Sequence, residues 1–129
     1  IRTRQPITPH TDQAWMWLLL DIDQNPATGW QGYDFIVNRQ VHNATTTWLE
    51  KHAGNWKWEK IAQVSFRAEG CELALSIPRA ALGLPEKTTA VALNFKWADN
   101  IQQPGDIMEF WVNGDAAPDG RFMYPYVAE

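Results

Sequence analysis

Three features of the sequence predict an all-β fold: an antiparallel β-sandwich, of the jelly-roll or immunoglobulin-like kind, with one short helical turn. Short apolar or alternating runs recur along the chain, separated by Gly, Pro, Asn and Asp signals roughly every eight to twelve residues. No segment keeps a helical period for several turns. Rows such as Val91, Leu93, Phe95 and Trp97, set against Ala92, Asn94 and Lys96, have the two-residue period of a strand with one buried face. At 129 residues the chain fits a single domain, 1–129, with length enough for a real core.

The elements follow in order. Ile1 to Arg4 reads as the end of a strand, and Gln5 to Gln13 as a turn around Pro6, Pro9 and Asp12. Ala14 to Ile22 is apolar on both faces, as a central strand is. A loop rich in oxygen-bearing side chains leads to a second strand from Tyr33 to Arg39. Thr45 to Glu50 is β-branched and ends in Trp48 and Leu49, a third strand. Trp56 and Trp58 flank Lys57, so a strand there points both rings to one face. Gln63 to Ala68 and Cys71 to Ile77 form a hairpin around Glu69 and Gly70, with Cys71, Leu73, Leu75 and Ile77 inward. Ser76 to Gly83 carries Pro78 near the first position and a terminal Gly, the signature of a helical turn. Thr89 to Trp97 is a strand, Asp99 to Asp106 a polar loop, Ile107 to Val112 a last strand, and Asn113 to Glu129 a Gly/Pro-bearing tail.

Composition narrows the function. A net charge of −4 argues against nucleic acid or an anionic membrane as the main partner. The longest apolar run, Ala14 to Leu20, is far short of a membrane span. A single cysteine, Cys71, excludes an internal disulfide. Eight Trp residues are unusual, because each indole N–H needs a partner when buried. Some are expected in the core and some against a ligand.

The loop Asp21-Ile-Asp-Gln-Asn-Pro-Ala-Thr-Gly-Trp-Gln-Gly-Tyr-Asp34 has two readings. Asp, Asn, Pro and Gly are what a tight turn needs for backbone reasons. The alternation of Asp21, Asp23 and Asn25 also spaces oxygen ligands as calcium loops do, with Thr28 and Asp34 near enough to complete a shell. An EF-hand is ruled out, since its Gly and Glu positions hold Pro26 and Gly32 and the flanks are strands. Trp30, between glycines, is a candidate ligand platform or a cover over the sheet end. Trp97, leading into Asp99 and Asn100, is placed at an edge where loops build sites. Trp15 and Trp17 belong in the core, and Trp56 and Trp58 cover the sheet.

Catalytic signatures are missing: no G-x-S-x-G, H-E-x-x-H, phosphate loop or G-x-G-x-x-G occurs. His10, His42 and His52 have no ligand spacing. The acid pairs Asp106 with Glu109 and Asp115 with Asp119 read as solvated faces rather than as a glycosidase pair. The expectation is a protein that is not an enzyme.

The run from Trp15 through Phe35, with Asn94-Phe-Lys-Trp-Ala-Asp-Asn100 and Gly114-Asp-Ala-Ala-Pro-Asp-Gly-Arg-Phe122, resembles the family 9 carbohydrate-binding modules and their DOMON-like relatives. The resemblance spans most of the chain. It implies a sandwich that binds polysaccharide or oligosaccharide with paired aromatic rings, carries structural calcium, and is an accessory module of a larger secreted, polysaccharide-active bacterial protein. The expected place is therefore extracellular or periplasmic, and the expected partners include other domains of the parent. Carried over, Asp21, Asp23, Asn25 and Asp34 match the metal region. Trp30 and Trp97 become the aromatic pair, with Asn100 and Arg121 as polar partners. Such modules have further strands ahead of Ile1, expected to be missing here or supplied by a partner chain. Two alternatives remain: a structural or interaction domain without a sugar site, and a haem-binding DOMON-type domain using Met16, Met108, Met123 or a His as axial ligand.

Overall fold

The computed structural model describes residues 1–85 and 89–128; Glu129, the last residue of the expected tail, lies outside them. Eight antiparallel strands form one curled sheet: β1 (Trp17–Asp21), β2 (Phe35–Val41), β3 (Thr46–His52), β4 (Trp58–Glu69), β5 (Glu72–Ser76), β6 (Val91–Asp99), β7 (Asp115–Ala117) and β8 (Tyr124–Ala128). The order across the sheet is β5-β4-β3-β2-β1-β6-β7, with β8 also paired to β6. The fold is all-β and antiparallel, and a short 3-10 turn at Arg79–Leu82 closes on left-handed Gly83.

The two-residue period of β1 decides how the core divides. Leu18 and Leu20 point to the inner face, where they pack with Phe35, Val37, Leu49, Val64, Leu82, Val91 and Leu93. Trp17 and Leu19 point to the outer face, into a second cluster with Trp30, Tyr33, Ile36, Ala98, Ile101 and Phe110. Both faces of β1 are therefore buried, which explains why its sequence is apolar throughout. A smaller cluster, Trp15, Met16, Phe66 and Leu73, closes one end.

Four expectations are corrected. Ile107 to Val112 is not a strand. Asp106 caps it, with Oδ1 accepting from Met108 N at 3.0 Å, and a wide helical turn spans Glu109–Asn113. Buried Glu109 accepts from Gln102 N at 3.0 Å and ties that turn to the preceding loop. The Gly/Pro-bearing tail contains strands that its composition did not predict, for it supplies β7 and β8 along β6. Its docking is fixed by Lys96, whose Nζ donates to the carbonyls of Pro118, Gly120 and Phe122 at 2.7, 2.6 and 3.1 Å. Trp56 sits in a turn before β4 rather than in a strand, and the β4 of Trp58–Glu69 is longer than the hairpin arm expected from Gln63.

Candidate functional site

The loop after β1 folds as turn chemistry directs. Asn25 N donates to Asp23 Oδ1 at 3.0 Å and Ala27 N to Asn25 Oδ1 at 3.0 Å, two successive side-chain turns. The Thr28 hydroxyl lies 2.9 and 2.8 Å from the two Asp23 oxygens and donates there. Trp30 and Tyr33 exchange backbone hydrogen bonds at 2.8 Å across Gln31 and Gly32, both at positive φ, as a tight two-residue hairpin turn requires. Gly29 is obligatory, since a Cβ there would lie 2.0 Å from the Tyr33 carbonyl oxygen. Asp34 returns to the end of β1, its Oδ2 accepting from Ile22 N at 2.9 Å.

This path brings Asp21, Asp23 and Asp34 together, with one carboxylate oxygen of each within 4.8 Å of the others. No Lys, Arg or His among the described residues forms an ion pair with any of them. Burial, then the hydrogen bond with Asp23, raises the Asp21 carboxyl above its usual range. Burial likewise raises Asp34. Asp23 is held low, chiefly by the Thr28 hydroxyl. The donor set is all oxygen and strongly anionic, which fits a hard cation such as calcium. Asn25 Oδ1 and the Thr28 hydroxyl are spent within the loop, on Ala27 N and on Asp23.

Trp30 is not a solvent-facing platform. It is 7% exposed, with ring centroids 4.5 Å from Trp56 and 5.2 Å from Phe110, both edge-on. The glycine-framed turn that freed the loop also folds it back over the outer face, so the indole becomes core. Trp97 pairs with Leu18 across β1–β6 and packs with the inner-face cluster. The sheet therefore separates Trp30 from Trp97, and the two cannot clamp one ring. Asn100 is exposed and bonded to Gln102 Nε2 at 2.7 Å, and Arg121 is exposed in the turn that Lys96 holds. Neither is among the described residues that line the two cavities containing Trp97.

The inner face holds an open groove of about 550 Å3, whose lining includes Leu18, Leu20, Val91, Phe95, Trp97 and Tyr126. Tyr126 pairs with Leu93 and Tyr124 with Phe95, so both tyrosines share the face of Trp97. The Phe95 and Tyr124 rings lie 5.6 Å apart. Tyr124 and Tyr126 are about half exposed, at 45% and 49%. The alternation Tyr124-Pro-Tyr-Val127 was the signal for this strand, masked by the surrounding Gly and Pro.

Compared with protein-family models, curated proteins and solved structures, the chain matches none.

Proposed function

We propose that this chain is a non-catalytic carbohydrate-binding module that seats a saccharide in the inner groove, with calcium bracing the loop at the end of β1. The observation that carries the reading is the set of rings on one face of the sheet: half-buried Phe95 and Trp97 and half-exposed Tyr126 in the groove lining, with Tyr124 beside them. Flat rings offer broad apolar area at little entropic cost, suited to the C–H faces of a pyranose. The groove's volume is that of a small-ligand site. Its described lining holds no Asp, Glu, His or Cys, so a saccharide there meets no acid or base to cleave it. Asp21, Asp23 and Asp34 would hold the calcium, which supplies charge neutralisation to three carboxylates left without a basic partner. A place in a larger secreted, polysaccharide-active protein, outside the cell or in the periplasm, belongs to the same proposal.

Calorimetry or affinity electrophoresis across soluble glycans, with calcium present, tests it; binding to none of them overturns it. A second reading is favoured by the aliphatic share of the groove, where Leu, Ile and Val outnumber the rings and Arg79 is the charged residue. Under that reading the module is an interaction domain and the groove takes an apolar protein segment. The haem reading has no support from the groove, whose described lining contains neither Met nor His. Met16 is buried at the end cluster, Met108 is exposed, and Met123 packs on the outer face.

A further inference from the structure

The inner groove has two walls of unlike chemistry. Its rings, Phe95, Trp97 and Tyr126, all come from β6 and β8. β5 and the segment after it contribute Leu73, Leu75, Ile77, Leu82 and Leu84, and no ring. The two sets belong to opposite ends of the sheet, β5 at one and β8, paired to β6, at the other. Leu75, Ile77, Leu84, Phe95 and Trp97 all pack against the core cluster that holds Leu18 and Leu20, so one apolar surface joins the walls. Leu75, Ile77 and Leu84 are only half-buried, which leaves hydrocarbon in contact with water on the ringless wall. Among the described lining, only Arg79, Trp97 and Tyr126 have a side chain with a polar atom, and Arg79 Nη1 donates to Thr89 O at 2.9 Å.

That lining suits only part of a saccharide. A sugar carries hydroxyls all round its ring, and a hydroxyl taken out of water without a partner costs free energy. At the ring wall this is met, because Tyr126 is half exposed and a pyranose stacked there keeps its hydroxyls in solvent. Along the aliphatic wall a second or third sugar would lose water against leucine and isoleucine. We infer that the groove takes a glycoside bearing a linear alkyl or acyl chain, with the sugar at Phe95, Trp97 and Tyr126 and the chain along Leu75, Ile77, Leu82 and Leu84. A hydrocarbon chain needs no hydrogen bond and gains from each methylene removed from water. The groove, at about 550 Å3, has the volume of a site for a drug-sized ligand rather than for one sugar ring. The inference rests on the saccharide reading of the groove and narrows its ligand.

The test is a 1H–15N NMR titration of the whole chain, with calcium, followed at the Trp97 indole and the Tyr126 amide. The probes are the methyl and octyl β-glycosides of D-glucose, D-galactose and D-xylose, below micelle-forming concentrations. The chain-only control is 1-octanol, and the extended peptide acetyl-Thr-Val-Thr-Val-Lys-amide stands for a protein segment. Each buried methylene should tighten binding about two- to fourfold, so at least one octyl glycoside should bind about a hundredfold tighter than its methyl counterpart, and tighter than 1-octanol. Leu84→Gln, which sets a polar group on the aliphatic wall, should shrink that octyl-to-methyl ratio about three- to tenfold. Should that variant fail to fold, Ile77→Thr should shrink it instead. Equal binding of methyl and octyl glycosides, or a ratio indifferent to the folded wall variant, overturns the inference and leaves the saccharide reading standing. Binding by no glycoside, or 1-octanol or the peptide binding as tightly as every octyl glycoside, overturns both.

Discussion

Replacing Trp30 with Ala tests whether the indole is core or platform. The side chain is 7% exposed and is enclosed by Trp56, Phe110 and Tyr33 at 4.5, 5.2 and 6.3 Å. Truncating a buried Trp costs about 3–5 kcal/mol, and the edge-on partners place this one in the upper half of that range. Unfolding entropy scales at about 2.1 cal/mol/K per residue, so for 129 residues a loss of about 4 kcal/mol lowers Tm by roughly 15 °C. Trp30→Phe should lose about half as much, because it keeps the contacts of one ring. Differential scanning calorimetry reads the shift and glycan titration reads binding. A Tm change within about 2 °C, the size of an ordinary surface substitution, together with lost glycan binding would refute the placement of Trp30 in the core.

Other outcomes follow from the same geometry. EDTA should lower Tm and excess calcium restore it; at a hundredfold excess over Kd the gain is about 2.7 kcal/mol, or roughly 10 °C here. Asp21→Ala should abolish that calcium-dependent gain, and a full calcium response in this variant would remove Asp21 from the site. Asp99 lies directly opposite Asp115 in the β6–β7 pair, and burial first, then the Asp115 and Asp12 charges, raise its carboxyl above the ordinary value. A carboxyl raised in the folded state weakens the fold above its folded pKa and costs nothing below the unfolded one. Asp99→Asn should therefore stabilise at neutral pH by about 0.5–1 kcal/mol, with the gain fading as pH falls through the raised value to the ordinary one. Chemical denaturation at several pH values measures it, and a gain that grows on acidification contradicts the assignment. Lys96→Met removes a charge bonded to three carbonyls and should cost about 2–3 kcal/mol while exposing 118–122 to proteolysis. An unchanged cleavage pattern at that turn would show that Lys96 does not hold it.

The fold was legible where one period dominates. In β6 the inward row from Val91 to Trp97 and the opposed Asn94 and Lys96 could be read directly. Ile107 to Val112 misled because an apolar run this short has no period of its own, and the deciding groups were Asp106 just before it and Glu109 within it. The acidic loop was legible as far as Asp21, Asp23 and Asp34, since residues flanking one turn must return to the same strand ends. The burial of Trp30 was not, because it depends on Phe110 and Trp56, far away in sequence. Spacing along the chain likewise could not show that Trp30 and Trp97 take opposite faces of the sheet. That follows only once Trp97 is registered against Leu18, one residue from Trp17.

The most direct test of the groove as a saccharide site is calorimetric titration of soluble glycans, with calcium, into the wild-type chain and into Tyr126→Ala. Tyr126 is half exposed on the groove wall, so its loss should leave Tm nearly unchanged. Removing one stacking ring should weaken glycan binding about tenfold, equivalent to about 1.4 kcal/mol. Glycan binding of equal strength in both proteins, or in neither, would contradict the assignment.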